Sequence, residues 1–133
     1  MGTAELYRAV ESMPEVLDSL VVDLEYLGRE SYMALFVVLR EGTALTESLE
    51  ADMRRSIRGA LSARHVPDEI VRVPAVPRNL TGKKLELPMK KLLLGQPMEK
   101  VIKRDAVANP EALEWFIEFE RSLNGSRVVT VLS

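Results

Sequence analysis

The chain is most constrained between residues 16 and 40. Two stretches rich in Val, Leu, Tyr and Phe, Val16 to Leu27 and Tyr32 to Arg40, flank the polar group Gly28-Arg29-Glu30-Ser31. β-Branched and aromatic side chains suit a pleated surface, and a short polar break between two such runs marks a β-hairpin. In the first arm Leu20, Val22, Leu24 and Tyr26 alternate with Val21, Asp23 and Glu25, the pattern of a strand with one covered face. The second arm is apolar on both faces from Ala34 to Leu39, which predicts the central strand of a sheet.

Around this hairpin the spacing turns helical. Leu6, Val10 and Met13 recur at helical intervals after Thr3, a candidate cap, and Pro14 stops the run. From about Thr46 to Leu61 the residues Leu49, Met53, Ile57, Ala60 and Leu61 form one stripe opposite Glu47, Asp52, Arg54, Arg55 and Arg58, so this helix should cover a sheet face. The run Glu69 to Pro74 alternates as a strand and follows that helix, so it can pair parallel to an earlier strand. Pro88 to Gly95 reads as a short helix with Pro at its start and Gly at its end. Asn109-Pro110-Glu111 opens a last helix carrying Leu113, Phe116, Ile117 and Leu123, with Gly125 as its stop. Ser126 to Ser133 is left as an added strand or a frayed end. The order predicts an α+β (α/β) fold, a small mixed three-stranded sheet packed with helices, in one domain over residues 1–125 with a tail at 126–133.

Composition narrows the chemistry. Apolar residues make up 47% and charged residues 29% of the 133, the balance of a globular protein. With 20 acidic against 18 basic residues and a net charge of −2, nothing attracts nucleic acid or an anionic membrane, so any anion site must be local. No apolar run is long enough to span a bilayer and no secretory signal opens the chain, so a cytoplasmic setting is expected. There is no cysteine, and one histidine, His65, makes a histidine-built metal site improbable. His65 reads as a structural residue, capping or turn-forming before Pro67, and not as a general base, and Trp115 and Phe119, four apart, read as packing within the last helix.

The unusual segment is Pro74-Ala75-Val76-Pro77-Arg78-Asn79-Leu80-Thr81-Gly82-Lys83-Lys84, where prolines, a glycine and three cations lie between a strand and a helix. A glycine-rich phosphate loop would need Gly six residues before its Lys and Ser or Thr after it; those positions hold Pro77 and Lys84. The segment instead resembles the Pro-x-x-x-x-Gly-Lys loop of the adenylate-forming superfamily of acyl-CoA synthetases, luciferases and peptide-synthetase adenylation domains, through Pro77, Gly82 and Lys83. Gly2-Thr3-Ala4-Glu5-Leu6-Tyr7 is similar to the end of the hinge-proximal block of short-chain acyl-CoA synthetases. Within the superfamily, Arg64-His65-Val66-Pro67-Asp68-Glu69-Ile70, Thr81-Gly82-Lys83-Lys84-Leu85-Glu86-Leu87-Pro88, Leu94-Gly95-Gln96-Pro97, and Arg104-Asp105 with Asn109-Pro110-Glu111 resemble the acetoacetate-CoA ligase branch. Many relatives read Gly-Lys-x-x-Arg; Glu86 stands at the last position here, which points away from a generic acetate enzyme.

The resemblance implies the mobile, lysine-bearing C-terminal domain of an ATP-dependent ligase. Lys83 would be the catalytic residue, meeting the acyl carboxylate and the α-phosphate region of ATP, with Pro77, Thr81 and Gly82 shaping the substrate loop. Arg58 falls where related acetyl-CoA ligases place an arginine that meets a phosphate of CoA; it reads equally well as one cation of a solvated helix face. Gly2 would approach the CoA pantetheine tunnel. The parent enzyme would use ATP, CoA and Mg2+, none of them bound by this chain alone, and the partner would be the parent's N-terminal AMP-binding domain, which holds the adenine and carboxylate pockets. The chain alone is expected to catalyse neither half of the reaction. A reading of a different class is a stand-alone α/β interaction module that keeps the fold without ligase activity.

Overall fold

The computed structural model describes residues 3–24 and 32–132, with the side chains of Arg64 and of residues 124–132 left aside. The chain divides into two compact units, Met1–Val76 and Pro77–Ser133.

The first unit holds helix α1 (Thr3–Glu11), strands β1 (Val16–Leu24) and β2 (Tyr32–Leu39), helix α2 (Glu47–Ala60) and strand β3 (Glu69–Arg72). The two arms pair antiparallel with Leu20 opposite Phe36 and Val22 opposite Ala34, and β3 joins parallel to β2 with Ile70 beside Leu35. The order β1-β2-β3 makes the doubly apolar arm central, as its sequence predicts. The hairpin turn at Gly28-Arg29-Glu30-Ser31 lies outside the described residues.

Leu6 and Val10 of α1 and Leu49, Met53 and Ile57 of α2 pack onto the sheet face that carries Val21, Leu35, Val37 and Ile70. Ala60 departs from the expected stripe and is exposed, while Leu61 closes the helix as its C-cap. The expectation of one covered face for β1 does not hold at its centre. Leu20, Val21 and Val22 are all buried, because Val21 lies in the core under α1 and α2 while its neighbours are covered on the other face. Thr3 enters α1 as its first residue instead of standing before it as the cap. Tyr7 then closes the free edge of the sheet, its hydroxyl accepting from the Val21 amide at 3.1 Å, so an edge donor is not left unpaired.

The second unit contains α3 (Glu86–Leu93), the single turn α4 (Met98–Val101) and α5 (Glu111–Leu132). Helices α3 and α5 pack together, and this unit buries Met89, Leu92 and Leu93 on the one and Leu113 and Phe116 on the other. Gly95 ends α3 with φ +103°, and the Gln96 amide behind it donates to the Lys91 carbonyl at 3.1 Å, the Schellman closure that Gly at this place permits. Trp115 stacks on Phe119 with ring centroids 5.0 Å apart, as their spacing implies.

The expected stop at Gly125 is overturned, because α5 runs on to Leu132 through the segment read as a strand or frayed end. Glycine inside a helix costs about 1 kcal/mol relative to alanine but does not break the hydrogen-bond ladder. No proline follows to do so.

Candidate functional site

The lysine segment folds as a miniature hairpin. Arg78 and Lys84 bridge antiparallel, the Asn79 amide donates to the Lys83 carbonyl at 2.9 Å, and the Gly82 amide donates back to the Asn79 carbonyl at 3.0 Å. Leu80, Thr81 and Gly82 form its three-residue tip, with Gly82 at φ +86° supplying the left-handed position that such a loop needs at its third residue. Pro77 is buried where the hairpin begins, and its carbonyl accepts from the Leu85 amide at 3.0 Å, so the loop feeds directly into α3.

Side chains finish what the backbone starts. The Asn79 side-chain oxygen accepts from the Thr81 amide at 3.0 Å, the Thr81 hydroxyl at 2.8 Å and the Lys83 amide at 2.9 Å. The Arg78 guanidinium donates to the Gly82 carbonyl at 2.8 Å. The base of the hairpin is held by the approach to α5: the Arg78 amide donates to the Asn109 side-chain oxygen at 3.0 Å, and the Ala108 amide donates to the Arg78 carbonyl at 2.9 Å.

This leaves Lys83 in an uncommon position for a surface cation. Its backbone is bonded on both sides, its side chain is exposed, and among the described residues nothing pairs with its ammonium. A hydrated point charge is thus presented from a fixed backbone. Such an arrangement can stabilise an anion that another body brings to it.

The structure gathers Pro77, Thr81, Gly82 and Lys83 in this one loop. Arg58 lies on α2 in the other unit, exposed and with no partner among the described residues, and Gly2 lies outside the described residues. His65 is a turn residue whose Nδ1 stands 2.8 Å from the Ser62 hydroxyl. Among the described residues no three His, Asp or Glu side chains are grouped to hold a metal, and no helix is long and apolar enough to cross a membrane. The second unit also has an open hollow of about 610 Å³ beside Met98, Ile102, Lys103 and Arg104, but Arg104 is already paired with Glu114, as Arg121 at its rim is with Glu118.

The sequence alone gives Arg78 and Asn79 no separate part in the loop, and Asn109 only that of a helix start. Asn two residues before Thr and three before Gly is a signal for an Asx turn, and it could have singled out Asn79.

A family model described as AMP-binding enzyme C-terminal domain matches residues 6–83, ending on Lys83. Acetoacetyl-coenzyme A synthetase of Rhizobium meliloti is 38% identical over 120 residues, which is 90% of this chain and 18% of that protein. Acetoacetyl-CoA synthetase of Caenorhabditis elegans is 34% identical over 90% of the chain and 17% of its own length. The solved acetoacetyl-CoA synthetase from Streptomyces lividans superposes with a TM-score of 0.85 at 43% identity, covering 92% of this chain and 18% of that one. The chain therefore spans less than a fifth of the length of these relatives.

Proposed function

We propose that this chain, which belongs to the AMP-binding enzyme C-terminal domain family, is the lysine-bearing domain of an ATP-dependent acetoacetate-CoA ligase acting in the cytoplasm. Residues 1–125 form the mobile domain in this reading, and 126–133 a tail that continues α5 as far as Leu132. The observation that carries it is the hairpin, which holds on a fixed backbone, within the matched segment, an ammonium that is unpaired among the described residues. The likeness to acetoacetyl-CoA synthetases over about 90% of the chain supports the choice of acyl group.

In the reaction assigned to the parent enzyme, an acetoacetate carboxylate oxygen attacks the α-phosphorus of ATP and the bond to pyrophosphate breaks, giving acetoacetyl-AMP. The CoA thiol then attacks the acyl carbon, losing its proton as AMP departs. Negative charge gathers on the phosphoryl oxygens in the first step, and a pre-positioned cation stabilises it more than it stabilises the ground state. Lys83 does that work, while Pro77, Thr81 and Gly82 keep the loop in shape. The N-terminal AMP-binding domain brings ATP with its Mg2+ and the acid. Arg58 and Gly2 belong to the thioester step, which the small domain reaches by turning a different face to the large one.

In the full-length ligase, Lys83→Ala should lower acetoacetate-dependent ATP–pyrophosphate exchange by about 100-fold, the loss typical of a transition-state donor. Exchange within about threefold of wild type would sink the assignment.

A further inference from the structure

We propose that Asn79 is a positioning residue for Lys83, fixing the direction from which the ammonium enters the reaction; this rests on the function proposed above. One side-chain oxygen takes three donors, the Thr81 amide and hydroxyl and the Lys83 amide, all within 3.0 Å. The Asn79 amide also donates to the Lys83 carbonyl at 2.9 Å, so both backbone polar groups of the lysine end on the same residue. The direction of the Lys83 Cα–Cβ bond is therefore set by Asn79.

Packing cannot supply that constraint. Leu80 at the tip is 69% exposed, and Thr81, Gly82 and Lys83 are exposed as well, so no buried side chain anchors this end of the loop. The Arg78 guanidinium on the Gly82 carbonyl and Asn109 on the Arg78 amide brace the flank and the base. The first holds the carbonyl of the Gly82–Lys83 peptide and the second the foot of the hairpin, but neither bonds an atom of Lys83 itself. Removing the Asn79 carboxamide frees the Thr81 and Lys83 amides to water while the two braces and α3 persist. The lysine then samples more directions, and a displacement of about 1 Å at a reacting centre can cost up to about 100-fold in rate.

The test compares Asn79→Ala, Asn79→Asp and Lys83→Ala in the full-length ligase. Two half-reactions are measured: acetoacetate-dependent ATP–pyrophosphate exchange, and thioester formation from preformed acetoacetyl-AMP and CoA. Asn79→Ala should lower kcat for exchange by about 10- to 50-fold, with KM for ATP and acid within about threefold. Thioester formation should stay within about twofold, because Lys83 serves only the first step. Asn79→Asp keeps an acceptor oxygen in the same place and should recover exchange to within about threefold of wild type.

Equal losses in both half-reactions, or an Asp variant no better than Ala, would show a merely structural role and overturn the proposal. So would Asn79→Ala near wild type alongside a disabled Lys83→Ala. Should Lys83→Ala itself leave exchange intact, the functional reading fails and takes this proposal with it. On the 133-residue chain, deuterium exchange at the Lys83 amide should quicken by about tenfold in Asn79→Ala and return in Asn79→Asp. An unchanged rate would show that Asn79 does not hold the loop.

Discussion

Gly82 stands at φ +86°, where a Cβ would crowd the following carbonyl, although the space around it is open. Gly59 also has open space around it, but it lies in the last turns of α2 with ordinary helical backbone. The two glycines separate conformational strain from steric contact. Gly82→Ala should destabilise the chain by about 1–2 kcal/mol, the cost of a left-handed residue with a side chain. Gly59→Ala should stabilise it by about 0.5–1 kcal/mol, since alanine loses less backbone freedom on folding. Urea midpoints for the two variants check both signs. A stabilised Gly82→Ala would mean that the hairpin tip does not hold a left-handed residue. Lys83→Ala should move the midpoint hardly at all, because its side chain is exposed and unpartnered among the described residues, so lost exchange in that variant reports on chemistry.

Helix α2 shows how an element is placed by its first residue as much as by its stripe. Thr46 has extended backbone, its hydroxyl accepts from the Leu49 amide at 3.1 Å, and Glu47 and Glu50 fall in the first turn where the helix dipole favours them. Thr46→Ala should cost about 1 kcal/mol in a urea titration without changing the slope of the transition; a loss under about 0.3 kcal/mol would mean that water replaces the cap. The same helix marks what the sequence made readable. Leu49, Met53 and Ile57 carry a period that only a buried helix face explains, and the apolar run from Ala34 to Leu39 could be satisfied only by a strand with neighbours on both sides. The end of α5 is not legible in the sequence because glycine is a stop only when it turns left-handed, as at Gly95; nothing local in Asn124-Gly125-Ser126 distinguishes that from a tolerated helical glycine. In the loop, the resemblance singles out Lys83 as a candidate, whereas nothing in it singles out Asn79. Its role depends on side-chain bonds to residues two and four ahead, and only the folded tip brings those together.

For the whole molecule, the two compact units carry different parts of the assignment: the first holds the sheet and Arg58, and the second holds the hairpin with Lys83. The family match crosses from one to the other and stops at the lysine. The relatives run more than five times as far, so under the proposed function the pockets for adenine and acid belong to the remainder of the parent ligase. A small domain joined by a short linker meets its partner at an effective concentration of about 1 mM. Supplied separately at about 10 μM, it should engage about 1% as often. A ligase truncated to its N-terminal domain should therefore recover about 1% of full-length pyrophosphate exchange when this chain is added at that level, rising linearly with chain concentration. The chain carrying Lys83→Ala should restore at least tenfold less than the wild-type chain, because docking without the ammonium leaves the phosphoryl charge unmet. Equal recovery with both chains would mean that the added domain helps only by stabilising its partner, and the lysine would lose its place in the reaction.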